Sequence, residues 1–263
     1  MLTIQNYVRP QSLQEAWELN QKRSSRIAGG MLWMKMSKGN CGTLIDLSDL
    51  GLNTIVETEK EISIGAMVTL REIELHPSLQ SYSWGAVQRA LKNIVGVQFR
   101  NLATLGGSLW GRFGFSDVLT VFLAMDAYVE LYKGGIIPLS EFAKMNYDRD
   151  ILVRLIIKKQ PCLMAYEDMR IASTDIPVLT CAISYIDGIF RATVGARPGR
   201  AMLFYDEKGI LSEWITEESA EAFSRYLMEQ VPTSGNIRGS SAYRSQLVKV
   251  LSRRALLQIK GGN

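Results

Sequence analysis

Residues 97–117 read VQFRNLATLGGSLWGRFGFSD. Gly106 and Gly107 form a pair here, Gly111 and Gly114 follow, and the stretch gives way to an apolar run at 118–125. A glycine pair has no Cβ atoms, so its backbone can take unusual φ values and approach a ligand closely. Successive N–H groups can then point at one anion. A second pair, Gly29-Gly30, closes the short apolar strand formed by Arg26, Ile27 and Ala28. Two such nests meeting across one cleft would hold both phosphates of a dinucleotide, each charge-assisted bond contributing about 1.5–3 kcal/mol. Thr104 and Ser108 flank the second pair and add hydroxyl donors. Neither pair fits GxGxxG or a P-loop, which argues against a nicotinamide Rossmann site or a Walker site. Asp117, ten residues on, suits two roles equally: acceptor for a ribose or adenine, or N-cap of the following helix.

Outward from this stretch the chain alternates short strands and helices. Ser12 caps a helix beginning LQEAWELNQK, with Glu15 completing a capping box. Strands follow at 26–28 and 43–47, so the opening reads as a βαβ unit. Residues 53–57 and 61–66 form a hairpin, and Thr69 caps a further helix. A longer helix is expected from Trp84 to Val95, ended by Gly96. Strands at 127–131 and 151–157 flank a Gly134-Gly135 turn. After Gln160-Pro161 come strands at 164–171, 179–186 and 190–195, the last two joined by Asp187-Gly188. Helices at 217–230 and 240–260 close the chain. The expected organisation is a first domain over 1–160, with subdomains of about 1–52 and 53–160, and a second over 161–263.

Composition narrows the function. The chain has 263 residues, 47% hydrophobic and 21% charged, and a net charge of +4, too small to argue for nucleic acid. No apolar run reaches the roughly 20 residues a bilayer requires, and the N-terminus lacks signal-peptide character. Cys41, Cys162 and Cys181 are far apart and odd in number. They fit a reducing cytoplasm and small buried side chains rather than a disulfide framework or a metal site. His76 is the only histidine, placed before Pro77 at a helix end. Acid–base catalysis therefore has little to work with, and redox chemistry would come from an organic cofactor or a partner.

The residues then reach a resemblance. AGG at 28–30, IGA at 64–66 and QFRNLATLGGSL with SDVLTVFLAMDA from 98 onward resemble the FAD-binding subunits of molybdenum hydroxylases, the xanthine dehydrogenase family. RIASTDI at 170–176 and RGSSAYR at 238–244 are similar to the start and closing helix of that family's C-terminal domain. The resemblance implies an α+β fold: a two-subdomain FAD-binding domain of the PCMH type, then a three-stranded antiparallel sheet with helices. It implies that Arg26, Ile27, Ala28, Gly29, Gly30, Met31, Leu32 and Trp33 wrap the FAD pyrophosphate. Thr104, Leu105, Gly106, Gly107 and Ser108 would form the opposite wall. Asp117 would hold the adenosine part, while Ile94 and Leu152 would make apolar contact. No catalytic residue and no metal ligand is expected. Met31 and Leu32 depart from the family's small hydroxyl and polar residues, Ser108 stands where asparagine is commoner, and Glu167 stands where some relatives carry lysine near the flavin.

The function this implies is an oxidoreductase subunit in the cytoplasm. It would take electrons from a 2Fe-2S small subunit, themselves derived from a molybdenum-cofactor large subunit, and pass them through FAD to NAD or another acceptor. Two alternatives stand beside it. One is an assembly subunit with a weakened or empty flavin site, motivated by Met31 and Leu32. The other is a self-sufficient flavin reductase of the cell-wall type, which the C-terminal pattern fits poorly.

Overall fold

The N-terminal strand β1 (Leu2–Val8) lies parallel to β3 (Gly39–Asp46), which also pairs in parallel with β2 (Ser25–Ala28). The sheet order is therefore β1-β3-β2, with the last strand in the middle. Helix α1 (Leu13–Asn20) connects β1 to β2 and packs on β2 and β3. Its Ser12 cap accepts from the Glu15 N–H at 3.1 Å, but the Glu15 carboxylate reaches back to the Gln11 N–H rather than to Ser12 itself. In this computed structural model, residues 1–262 are described.

A second, five-stranded antiparallel sheet runs β4-β5-β8-β6-β7. Its strands are β4 (Ile55–Glu57), β5 (Glu61–Gly65), β6 (Ala127–Leu131), β7 (Gly135–Pro138) and β8 (Leu152–Lys158). Ile62, Ile64, Val129, Leu155 and Ile157 are buried with essentially no exposure, as hydrophobic strands in a covered sheet must be. Between β5 and β6 come several short helices. These are α2 (Leu70–Leu75), α3 (Pro77–Tyr82), α4 (Ala86–Lys92), α5 (Val97–Arg100), α6 (Leu105–Trp110) and α7 (Asp117–Leu123). Thr69 caps α2 with the reciprocal pattern: its hydroxyl takes the Glu72 N–H at 3.2 Å while Glu72 takes the Thr69 N–H at 2.8 Å. Helix α4 is shorter than the expected 84–95 span. It stops at Lys92, and the chain turns through Val95 at φ +52°, not through Gly96. After β7, the short helix α8 (Leu139–Phe142) leads into β8.

The third sheet is antiparallel, in the order β12-β11-β10-β9. It comprises β9 (Cys162–Met169), β10 (Leu179–Ile186), β11 (Ile189–Gly195) and a fourth short strand, β12 (Met202–Tyr205), which the residue pattern had not singled out. Asp187 and Gly188 take φ +51° and +77° in the β10–β11 turn, the left-handed pair that matches strand twist. Helices α9 (Glu217–Gln230) and α10 (Ser241–Gly261) pack on each other, and α10 lies on β9 and β10.

Strand β10 shows how one sequence serves two faces. Leu179, Cys181 and Ile183 join the apolar core formed with Phe223, Leu227, Val248 and Leu251 of α9 and α10. The intervening Thr180 and Ser184 point to the other side. Thr180 Oγ1 meets Thr120 Oγ1 of α7 at 3.0 Å, and the Ser184 hydroxyl donates to the Ala124 carbonyl. From β11, Thr193 Oγ1 donates to the Thr120 carbonyl at 2.8 Å.

Grouped by contact, the chain forms two units. One comprises Met1–Glu72, Val97–Gly111 and Ala127–Lys158; the other comprises Ile73–Gly96, Arg112–Asp126 and Lys159–Asn263. Cys41 and Cys181 are buried and Cys162 half-buried, and burial pushes the Cys162 thiol up to about 12. No helix among the described residues is long and apolar enough to cross a membrane.

Arg244 is the largest fully buried side chain of the second unit, 1% exposed. Its guanidinium donates to the carbonyls of Val178 (2.9 Å), Ser234 (2.8 Å) and Gly239 (2.6 Å) and to Asn236 Oδ1 (2.6 Å). It thus fastens the start of α10 to β10 and to the loop before it. Arg244→Met strands those buried acceptors, and at about 1–3 kcal/mol per unsatisfied group the loss of unfolding free energy is expected to exceed 3 kcal/mol, read from urea denaturation.

Candidate functional site

Strand β2 runs directly into Gly29 and Gly30, and both glycines are explained by what stands beside them. A Cβ on Gly30 would lie 1.8 Å from the Leu102 carbonyl oxygen, and one on Gly29 would lie 2.7 Å from Thr104 Oγ1. The loop after β2 therefore packs backbone against backbone on the loop before α6. Gly106 is equally confined: its Cβ would stand 2.8 Å from the Ala66 carbonyl oxygen. None of these three glycines has positive φ. Close approach, not backbone conformation, is what excludes other residues here.

Hydrogen bonding corrects the expectation of two amide nests. Leu105 N donates to the Val68 carbonyl at 2.9 Å and Gly106 N to the Ala66 carbonyl at 2.8 Å. Gly107 N bonds Thr104 Oγ1 at 3.2 Å, and Ser108 N bonds the Thr104 carbonyl at 3.1 Å. The Ser108 hydroxyl also donates to that carbonyl, at 2.9 Å. The second glycine pair thus has its donors committed within the protein. The first loop differs: Gly30, Met31 and Leu32 donate their N–H groups to no acceptor among the described residues. Met31 sits at φ +58°, a left-handed conformation that bulky residues rarely adopt. It is fixed there by its carbonyl accepting from Lys35 N at 2.9 Å. A single 3₁₀ turn, Met34–Met36, follows.

These loops border a cleft of about 270 Å³ within the first unit. Of the residues singled out from sequence, Arg26, Ile27, Gly29, Thr104, Gly106, Gly107 and Leu152 line it. Gly30, Met31, Leu32 and Trp33 continue the loop from Gly29, while Ala28 (5% exposed) and Leu105 (fully buried) serve packing through their side chains. Trp33 stands edge-on to Phe99, centroids 5.9 Å apart. The sequence reading missed Ser25, Met34, Met67, Trp110 and Arg149, all on the cleft wall. No local motif marks them, because four separate segments bring them together.

The cleft wall carries two arginines, Arg26 and Arg149, and two aspartates, Asp148 and Asp150. Arg149 donates to the carbonyls of Asn20 (3.1 Å) and Lys22 (2.9 Å) through Nη1 and of Arg23 (3.1 Å) through Nη2, and Arg26 donates to that of Arg23 (2.8 Å). Neither arginine pairs with a carboxylate among the described residues. Asp150 does not neutralise them: its carboxylate is taken by the N–H groups of Lys133, Gly134 and Ile151. Beside them Ser25, 1% exposed, has a hydroxyl without a hydrogen-bond partner. Unspent amides in the adjoining loop, guanidinium groups without an ion pair and an orphaned hydroxyl are all donors that an oxygen-rich ligand can use.

Ile94 and Asp117 belong to the second unit. The N-cap of α7 is Ser116, whose hydroxyl accepts from Leu119 N at 3.0 Å, so Asp117 is the first helical residue and not the cap. Asp117 is buried, and its Oδ1 accepts from the Tyr166 hydroxyl and from Arg170. Arg170 is held in turn by Asp168 at 2.6 Å. Burial pushes the Asp117 carboxyl above its usual range, against the pull of Arg170 and Tyr166. No protein donor among the described residues reaches Oδ2. Glu167 pairs with Arg89 at 2.6 Å and accepts from Gln258.

Residues 2–159 match the family described as the FAD-binding domain in molybdopterin dehydrogenase. The nicotine 6-hydroxylase medium subunit of Paenarthrobacter nicotinovorans is 26% identical over 273 residues, covering 96% of each chain. The glyceraldehyde dehydrogenase medium chain of Sulfolobus acidocaldarius is 24% identical over 278 residues, 97% of this chain and 98% of that one. Carbon monoxide dehydrogenase from Hydrogenophaga pseudoflava contains a chain of the same fold, with a TM-score of 0.86, 21% identity and 97% of both chains covered.

Two predictions follow from these contacts. Gly30→Ala forces the two loops apart and is expected to cost more than about 3 kcal/mol of stability, since the methyl would overlap backbone that cannot move aside. Equilibrium denaturation reads this directly. Arg170→Met leaves Asp117 and Asp168 without their cation, at about 3–5 kcal/mol. In that variant the buried Asp117 carboxyl keeps a folded pKa above its unfolded one, because burial raises it and the opposing cation is gone. The deficit is therefore smallest near pH 4 and grows as pH rises, so unfolding at pH 5 and pH 8 should show the larger loss at pH 8.

Proposed function

The chain belongs to the family of FAD-binding domains of molybdopterin dehydrogenases, and on that premise we propose that it is the electron-transferring medium subunit of a multi-subunit oxidoreductase. An iron–sulfur small subunit and a molybdenum-cofactor large subunit are the partners this reading requires. Its support is that the relatives matched along nearly their whole length are a medium subunit of a hydroxylase and a medium chain of a dehydrogenase. NAD or another acceptor would take the electrons from the flavin.

The observation that carries the reading is the free amide run at Gly30, Met31 and Leu32, in the loop that continues from Gly29 on the wall of a cleft also lined by Arg26 and Arg149, neither of which pairs with a carboxylate among the described residues. The first loop, from Arg26 to Trp33, would hold the FAD diphosphate through these N–H groups. Arg26 and Arg149 would contribute charge. Thr104, Leu105, Gly106, Gly107 and Ser108 would act as the opposing wall, with committed donors and a shape the glycines keep narrow. Leu152 would give apolar contact from β8, and Ile94 and Asp117 are retained as cofactor residues, Asp117 through its Oδ2.

When bound, FAD supplies the electron-transfer chemistry, which belongs to the cofactor and not to the side chains. The chain's part is to bind, orient and enclose it. A second reading, an assembly subunit with a weakened flavin site, is favoured by the committed donors of the second glycine pair and by Met31 at positive φ.

An absorption spectrum of the purified chain after incubation with FAD separates the two. Electron transfer requires flavin bands that survive gel filtration, and Arg26→Gln should weaken FAD binding about tenfold by removing a charge-assisted contact. A chain that stays colourless, alone and with its partner subunits, leaves the assembly role.

A further inference from the structure

Trp110 was not among the residues that the sequence marked for a ligand, yet its position in α6 gives it one. It follows Gly106 by four residues and Gly107 by three, so all three share one face of the helix. Side chains on a helix lean toward its N-terminus, which carries the indole over the turn that holds the two glycines. Those positions carry no Cβ, and Trp110 lines the cleft. The indole packs against Phe142, which is 1% exposed, with centroids 5.9 Å apart and planes inclined at 50°.

Trp110 is half-buried and lines a cleft, whereas a tryptophan serving the core alone would be enclosed. Met34 and Met67 line the same cleft. Thioethers are polarizable and adapt to the face or edge of an aromatic ring. One anchored aromatic wall with two methionines beside it suits a flat conjugated ring better than a sugar or an aliphatic chain. Gly29 and Met34 of the loop that carries the unspent amides line this same cleft, so a ring joined to a diphosphate would bring both features into use.

We propose that Trp110 receives a planar heteroaromatic ring of the bound dinucleotide and sets its orientation in the cleft. The inference rests on the FAD reading above and deepens it: the loop after β2 takes the diphosphate, and Trp110 takes a ring attached to it. Both ends of FAD carry such a ring, and the contact has a different signature for each. An indole touching the isoalloxazine quenches flavin emission by donating an electron to the excited ring. An indole touching adenine leaves flavin emission alone but changes its own emission when ADP binds.

The test uses the full chain as wild type, Trp110→Phe and Trp110→Leu, each loaded with FAD and freed of excess by gel filtration. Loss of an aromatic contact is expected to weaken FAD binding about 3- to 10-fold in Trp110→Leu, with a smaller effect in Trp110→Phe. If the isoalloxazine is the partner, bound flavin emits several-fold more in both variants than in wild type. If adenine is the partner, ADP changes indole emission in wild type and not in Trp110→Phe. Should Trp110→Leu fail to fold, Trp110→Phe carries both readouts alone, because it retains the ring that packs on Phe142. Retained FAD with unchanged flavin emission, unchanged affinity and no ADP effect overturns the role of Trp110 and leaves the cofactor reading standing. A wild-type chain that binds no FAD overturns both.

Discussion

The cleft depends on one steric constraint: two loops from different parts of the chain touch through their backbones. Gly30 lies so close to the Leu102 carbonyl that a methyl group cannot be placed between them. Gly29 against Thr104 and Gly106 against Ala66 extend the same seam. With the seam closed, Leu105 and Gly106 donate to Val68 and Ala66, which ties α6 to the segment after β5. This contact also divides labour between the loops. One spends its amides on structure, and the other leaves the amides of Gly30, Met31 and Leu32 without an acceptor among the described residues.

In the second unit the organising principle is a sheet covered on both faces. An ordinary alternating strand would place charged residues on one side. Here β10 alternates aliphatic residues with hydroxyl-bearing ones, and the hydroxyls find acceptors on α7. The same unit buries several charges, and each has a partner. Arg244 is satisfied by four acceptors, and Asp117, Arg170, Tyr166 and Asp168 form one connected group. Buried polar groups of this kind tolerate substitution poorly, because the partner left behind has nowhere to turn.

The chain's chemistry is one of holding. Among the described residues no group of three or more histidine, cysteine, aspartate or glutamate side chains could bind a metal ion. The single histidine caps a short helix, and the cysteines sit at buried or half-buried strand positions. What the first unit offers is a cleft with two arginines, two aspartates and one aromatic wall, and free amides in the loop beside it. Membership in a family of FAD-binding domains fits that inventory, since a flavin brings its own reactivity.

Much was legible in the sequence because it depends on neighbours along the chain. The βαβ opening, the Thr69 cap, the Asp187-Gly188 turn and the last two helices follow from periodicity and local hydrogen bonding. The glycine pairs were visible too, and with them the location of the cleft. Their use was not. Whether an amide faces a ligand or a carbonyl depends on which loop lies opposite, and that loop is some seventy residues away. For the same reason Ser25, Arg149 and Trp110 carried no signal, and Val95 rather than Gly96 turns the chain after α4. Sequence determined which segments could turn, cap and bury themselves; only the tertiary structure decided which donors remain unspent, because hydrogen-bond satisfaction is a property of what is brought together in space.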